Sequence, residues 1–260
     1  MPLPLAYADF PAFLLVFVRV LAVIGTMPLF GDHMVPRQVK LGMALLLALI
    51  LFPTVSAPFA GQVPANILGW MPALFMEALF GAAIGFTARL ITTAFEFAGE
   101  VAGYMLGLTL AQAVDPQTNL QVPIIGQFLS VLSFMIFLAI NAHHILISAL
   151  VTSFDALPPF SIHIGGGFAT LIIGLVFELF KLGLQVSAPV VAAILLANVG
   201  LGVISRAVPQ MHVLVVAMPL TIAMGLLVIG LSLPYVTGLM VDAYGGMDDT
   251  LAAVMASMRG

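Results

Sequence analysis

Six apolar runs with few or no charges divide this chain: Phe10–Pro28, Leu41–Phe59, Ile67–Leu90, Pro123–Val151, Phe168–Ala197 and Met211–Leu233. Each has about the 17–25 residues, or more, that a tilted helix needs to cross hydrocarbon. Inside hydrocarbon no water bonds the backbone, so a spanning segment must satisfy its own amides, as a helix does. The runs therefore predict an all-α, polytopic membrane protein with about six helical spans. The charge count points the same way. Charged residues make up 7% of the 260-residue chain, against about 25% in a soluble domain.

Other classes fall away on composition. A net charge of -4 with no basic block argues against a nucleic-acid partner. The chain has no cysteine, which excludes disulfides, thiolate metal sites and cysteine nucleophiles. Ala6-Tyr7-Ala8 resembles a signal-cleavage site but precedes the first apolar run, so that run is expected to stay in the mature protein.

A short polar break, Gln112 to Pro123, stands between the third and fourth runs and contains Gln112, Asp115, Pro116, Gln117, Asn119 and Gln121. Pro116 lacks an amide donor and pushes Asp115 out of the helical region, so a helix does not pass easily through it. Irregular polar backbone is tolerated at membrane depth only when protein or a water-filled cavity surrounds it. The break is therefore read as a loop facing an aqueous path. From Ala73 to Ala111 there is no proline, and a continuous helix there would reach about 60 Å at about 1.5 Å per residue. Three arrangements are open: a kink near Gly99, Gly103 or Gly107, a helix projecting beyond the bilayer, or a separate half-helix over Phe95–Ala111 with Glu96 and Glu100.

Arg19 lies inside the first run. Its insertion penalty of about 2.5–3.5 kcal/mol is outweighed by apolar neighbours worth about -0.3 to -0.6 kcal/mol each. A structural pair with an acid such as Glu77 is the expected arrangement. Two helical stripes of small and polar residues follow. Glu77, Gly81, Gly85, Ala88 and Thr92 share one face of the third run; Thr170, Gly174, Glu178, Lys181 and Gln185 share one face of the fifth. Such faces pack membrane helices or line a wet passage, and Glu178 can pair with Lys181 three residues on. The fourth run carries a similar set in Ser130, Asn141, His144 and Ser148.

Basic residues set the topology. His33, Arg37 and Lys40 lie between the first two runs, Arg89 closes the third, and Arg206 lies between the fifth and sixth. Placing those loops in the cytoplasm leaves both termini outside. His143-His144 has no further ligand at helical spacing, so no metal site is expected. Gly165-Gly166-Gly167 lacks the Lys-Ser/Thr of a phosphate loop and reads as a flexible connection. No nucleophilic triad stands out, so catalysis and cofactors are not expected.

The last third reads Asn198-Val-Gly-Leu-Gly-Val-Ile-Ser205-Arg206-Ala-Val-Pro209-Gln210-Met-His-Val-Leu, then Ala217-Met-Pro219-Leu-Thr-Ile-Ala-Met-Gly225. This resembles the Ser-Arg-x-x-Pro-Gln turn and Pro-Leu-Lys-Ile-x-x-Gly helix start of the FliR/SctT family of type III secretion export-gate proteins. Asp115-Pro116, Phe137-Leu-Ala-Ile-Asn141-Ala-His143-His144, Pro28-x-Phe30-Gly31, Pro36 and Lys40 fit the same pattern. Two positions depart from it: His212 stands where the family commonly has Asn, and Thr221 where it commonly has Lys.

The resemblance implies a bacterial inner-membrane subunit of the flagellar basal body. It would assemble with FliP and FliQ homologues into a gated channel for unfolded export substrates, contact an FlhB homologue, and sit against membrane lipid. It also implies a FliP-like part over 1–165 carrying the plug loop 112–123, a FliQ-like helical hairpin over 166–240, and a polar tail over 241–260. Arg206, Pro209 and Gln210 would form the hairpin's cytoplasmic turn. Glu77, Gly81, Gly85, Glu178, Lys181 and Gln185 would lie in seams between subunits or helices. The competing reading is a secondary transporter using Arg19, Glu77, Glu178 and Lys181. Against it, the chain shows no duplicated halves with matched broken helices.

Overall fold

A computed structural model describes residues 10–28, 35–55, 67–108, 124–162, 165–207 and 213–259. Among them the chain forms eight helices: α1 (Phe10–Thr26), α2 (Arg37–Val55), α3 (Ile67–Met105), α4 (Ile124–Ala139), α5 (Ala142–Ala156), α6 (Gly166–Ala207), α7 (Val213–Gly245) and α8 (Met247–Ser257). Four are long and apolar enough to cross a membrane, or five if α4 and α5 count as one broken span. The expected count of about six falls for two reasons. α1 has 17 described residues, about 26 Å, at the lower limit of what crosses a hydrocarbon core of roughly 30 Å. The fourth run is interrupted at Asn141, which adopts the left-handed conformation with φ 58°.

α3 removes one of the three arrangements left open for the third run. It is one helix of 39 residues, with no separate half-helix starting at Phe95. Its end is marked by Gly107 at φ 75°. Gly107 donates its N–H to the Tyr104 carbonyl and Leu108 donates to that of Gly103. This is a Schellman closure, which glycine makes without the strain a Cβ would bring.

The helices fall into two compact units, 1–90 with 141–176 and 244–260, and 91–140 with 177–243. In the first unit α1 packs against α2, where Ala44 and Ala48 are fully buried, and Phe13 meets Phe52 edge-on at 5.6 Å. α1 also lies directly against α3. A Cβ on Gly81 would strike the Arg19 carbonyl and come within 2.9 Å of the Ala22 Cβ, and one on Gly85 would strike the Thr26 hydroxyl. As the contacts step from Gly81 to Gly85 they advance from Arg19 toward Thr26, so the two helices run the same way. Lipid offers no hydrophobic drive for helix association, which leaves close approach of this kind to hold the pair.

The segment expected as a polar tail is ordered. α7 runs on to Gly245, and α8 packs against α5 with Met247, Leu251, Val254 and Met258 fully buried. A single antiparallel bridge joins Ile162 to Arg259. The acids Asp248 and Asp249 lie in the first turn of α8, where they favour the helix dipole. The tail carries more charge than the chain average, at Asp242, Asp248, Asp249 and Arg259, yet its apolar residues recur at helical spacing.

In the second unit the end of α3 crosses α4 glycine on glycine, a Cβ on Gly99 falling 2.5 Å from the Gly126 Cα. Phe97 meets Phe180 edge-on at 5.3 Å beside Gly183. Val186 packs with Val236 and Met240, while Ile194 packs with Val228 and Ile229. Numbers rise along α6 as they fall along α7, so the two helices are antiparallel.

Candidate functional site

Two groups of polar residues stand out in this apolar frame, one buried and one exposed. The buried group centres on Arg19, wholly inaccessible on α1. Its Nε donates to Glu77 Oε2 at 2.5 Å and its Nη2 to Glu77 Oε1 at 3.0 Å. Nη2 also donates to the Leu157 carbonyl at 2.9 Å, and Nη1 to the Ser153 carbonyl and hydroxyl at 3.0 and 3.1 Å. A guanidinium has five N–H groups, and all five are used. The cation lies over the Phe80 and Phe154 rings, 4.9 and 4.1 Å from their centroids, a further attraction in a dry site.

The expected partnership of Arg19 with Glu77 is thus present, and it joins α1 to α3. Sequence reasoning missed Ser153, Leu157, Phe80 and Phe154. Phe80 follows Glu77 by three residues and so shares its helix face, a readable signal. Nothing in the sequence marks Ser153 or the Leu157 carbonyl, which lie more than 130 residues from Arg19 in the chain. They tie the end of α5 to the same cation. As chemistry the cluster is closed, with no N–H left over for a ligand.

The remaining candidate residues divide by burial. Gly81 and Gly85 are buried against α1, and Ala88 is buried too. On α6, Glu178, Lys181 and Gln185 are exposed, as are Thr170 and Gly174. Lys181 Nζ donates to both Glu178 carboxylate oxygens, at 2.9 and 3.1 Å, with the side chains about three-fifths open. Gln185 donates to the Tyr235 hydroxyl of α7 at 3.0 Å. Asn141, His144 and Ser148 are exposed, and Ser130 is half-buried. Thr221, standing where the family pattern has Lys, is buried and donates back to the Ala217 and Met218 carbonyls.

Arg206 is exposed in the last turn of α6. Pro209 and Gln210 lie outside the described residues, as do Gln112, Asp115, Pro116, Gln117, Asn119 and Gln121 of the polar break. Among the described residues no three of His, Asp and Glu converge as metal ligands.

With its described residues mostly helical, its composition apolar and its buried Arg19 committed to packing, the chain has the make-up of a multi-span membrane component. Comparison with known proteins gives its family. The family model described as "Bacterial export proteins, family 1" matches residues 10–247. Flagellar biosynthetic protein FliR of Bacillus subtilis (strain 168) is 37% identical over 226 residues, covering 85% of each chain. FliR of Caulobacter vibrioides is 34% identical over 230 residues, covering 88% of this chain and 91% of its own. FliR of Escherichia coli (strain K12) is 29% identical over 241 residues, covering 93% and 91%. The chain belongs to this family of bacterial export proteins, that of FliR. It is accordingly a non-enzymatic, multi-span component of the flagellar export apparatus in the inner membrane.

Proposed function

We propose that the chain is a core subunit of the flagellar export gate, assembling with FliP and FliQ homologues into a gated channel for unfolded substrates and contacting an FlhB homologue. The observation that carries this reading is the exposed Glu178–Lys181 pair on a helix apolar enough to cross a membrane. An ion pair facing lipid is expensive, and such groups normally face protein or a wet cavity. Within its own unit, among the described residues, no helix covers the pair on α6, and this reading assigns its cover to a neighbouring subunit. The FliP-like part over 1–165, the FliQ-like hairpin over 166–240 with its turn at Arg206, Pro209 and Gln210, and the plug at Gln112–Pro123 belong to the same proposal. The transporter alternative lacks support at Arg19, where all five N–H groups are satisfied within the chain.

Deletion of Gln112–Pro123 tests the plug. Assembly with the partner homologues is expected to persist while the membrane becomes leaky to small solutes, read by solute influx in cells producing the variant. Complexes that form normally and stay tight would remove the plug role.

A further inference from the structure

Two features of the second unit occur at one level of the α6–α7 pair. Each helix carries the same step, Ser187-Ala188-Pro189 on α6 and Ser232-Leu233-Pro234 on α7. A proline inside a helix has no N–H for the carbonyl four residues back. Pro189 therefore leaves the Gln185 carbonyl without its helical donor, and Pro234 does the same to Gly230. In each step the serine bonds back to the carbonyl three residues before it, Ser187 to Leu184 at 3.2 Å and Ser232 to Ile229 at 3.0 Å. Back-bonded serines of this kind bend helices.

Both serines line one small cavity of about 10 Å³, whose remaining wall includes Ala98 and Ala102 of α3, Leu129 of α4 and Val236 of α7. That is about the room one water needs, and a buried water requires at least two polar partners. The two hydroxyls give their protons to carbonyls, so their lone pairs remain to accept from a water between them. Beside the cavity, the Gln185–Tyr235 hydrogen bond joins the same two helices on their exposed side.

We propose that the paired Ser-x-Pro steps at Ser187–Pro189 and Ser232–Pro234 form a single hinge in the α6–α7 pair, built around one water bridging the two serine hydroxyls. Each step alone is a place where a helix bends readily. Placed at one level of two antiparallel helices, with a cavity between them, they let both helices bend together without breaking a ladder hydrogen bond. Gln185 and Tyr235 latch the joint from outside. The hinge follows from this geometry alone, and only its test in the assembled complex rests on the export-gate reading.

The chain has no cysteine, so spin labels at Phe180→Cys and Val199→Cys on α6 would be unique. The sites are 19 residues apart, about 28 Å along a straight helix. Pulsed electron paramagnetic resonance on the assembled export complex should give a broad distance distribution for the otherwise unaltered chain. The distribution should narrow to about half that width in Pro189→Ala/Pro234→Ala, which restores the ladder, and should narrow in Ser187→Ala/Ser232→Ala, which dries the joint. Wild-type width retained in either pair overturns the hinge, and the serine pair decides the matter should the proline pair not assemble. An electron-microscopy map that resolves other buried waters should show density between the two hydroxyls, absent in the serine variant. An empty site in the parent map overturns the bridging water.

Discussion

Arg19 shows what a single charge must find before an apolar helix can hold it. A buried cation is tolerated when it is paired and its remaining donors are bonded, and here one carboxylate, two carbonyls, a hydroxyl and two aromatic faces complete the set. Arg19→Ala strands the Glu77 carboxylate and should destabilise the detergent-solubilised chain by about 3–5 kcal/mol. Arg19→Met with Glu77→Leu removes both charges, yet leaves the Ser153 and Leu157 carbonyls without this donor. It should recover most of the loss and retain a deficit of about 1–3 kcal/mol. Arg19→Lys should fall between, because an ammonium cannot fork across a carboxylate. Equal unfolding free energies for all three variants would show that the network is not what holds α1, α3 and α5.

Among elements, α3 meets α1 and α4 at glycines where backbones touch. Gly99 in α3 is one such point, with Gly126 of α4 2.5 Å from where a Cβ would stand. Gly200 in α6 has nothing within 4 Å. The same substitution should therefore have opposite signs at the two sites. Gly99→Ala should destabilise by about 1–3 kcal/mol through overpacking. Gly200→Ala should stabilise by up to about 1 kcal/mol through helix propensity alone. Thermal unfolding of the solubilised variants reads both, and a shift of the same sign at the two sites would contradict the packing account. The pattern of glycines did not distinguish them, since spacing gives a residue its face but not what lies opposite.

For the molecule as a whole, the unevenness of burial matters most. The first unit buries the cation of Arg19 completely, while the α6 segment of the second leaves Glu178, Lys181 and Gln185 open. A photo-crosslinker at Lys181 in intact membranes should capture a FliP or FliQ homologue, and one at Asp249 on the exposed side of α8 should give at least tenfold less of that adduct. Lipid adducts alone at Lys181 would move the pair out of any subunit seam. Thr221, buried and self-bonded in α7, carries no charge, so that position contributes nothing to a charged contact.

Much of this is legible in the amino-acid sequence alone. Long uncharged runs dictate helices because hydrocarbon leaves the backbone no other donor or acceptor, and a lone arginine among them demands an acid. Family membership is legible too, because the Ser205-Arg206-x-x-Pro209-Gln210 block and its companions are local strings. Other features depend on distance in space. The Ser153 and Leu157 partners of Arg19, the packing of α8 against α5, the glycine crossing of α3 on α4, and the shared level of two Ser-x-Pro steps all join residues far apart in the chain. Periodicity assigns a side chain to a face. Only the packed backbone decides which other face it meets, because that choice rests on close approach between helices whose order in space the runs themselves do not encode.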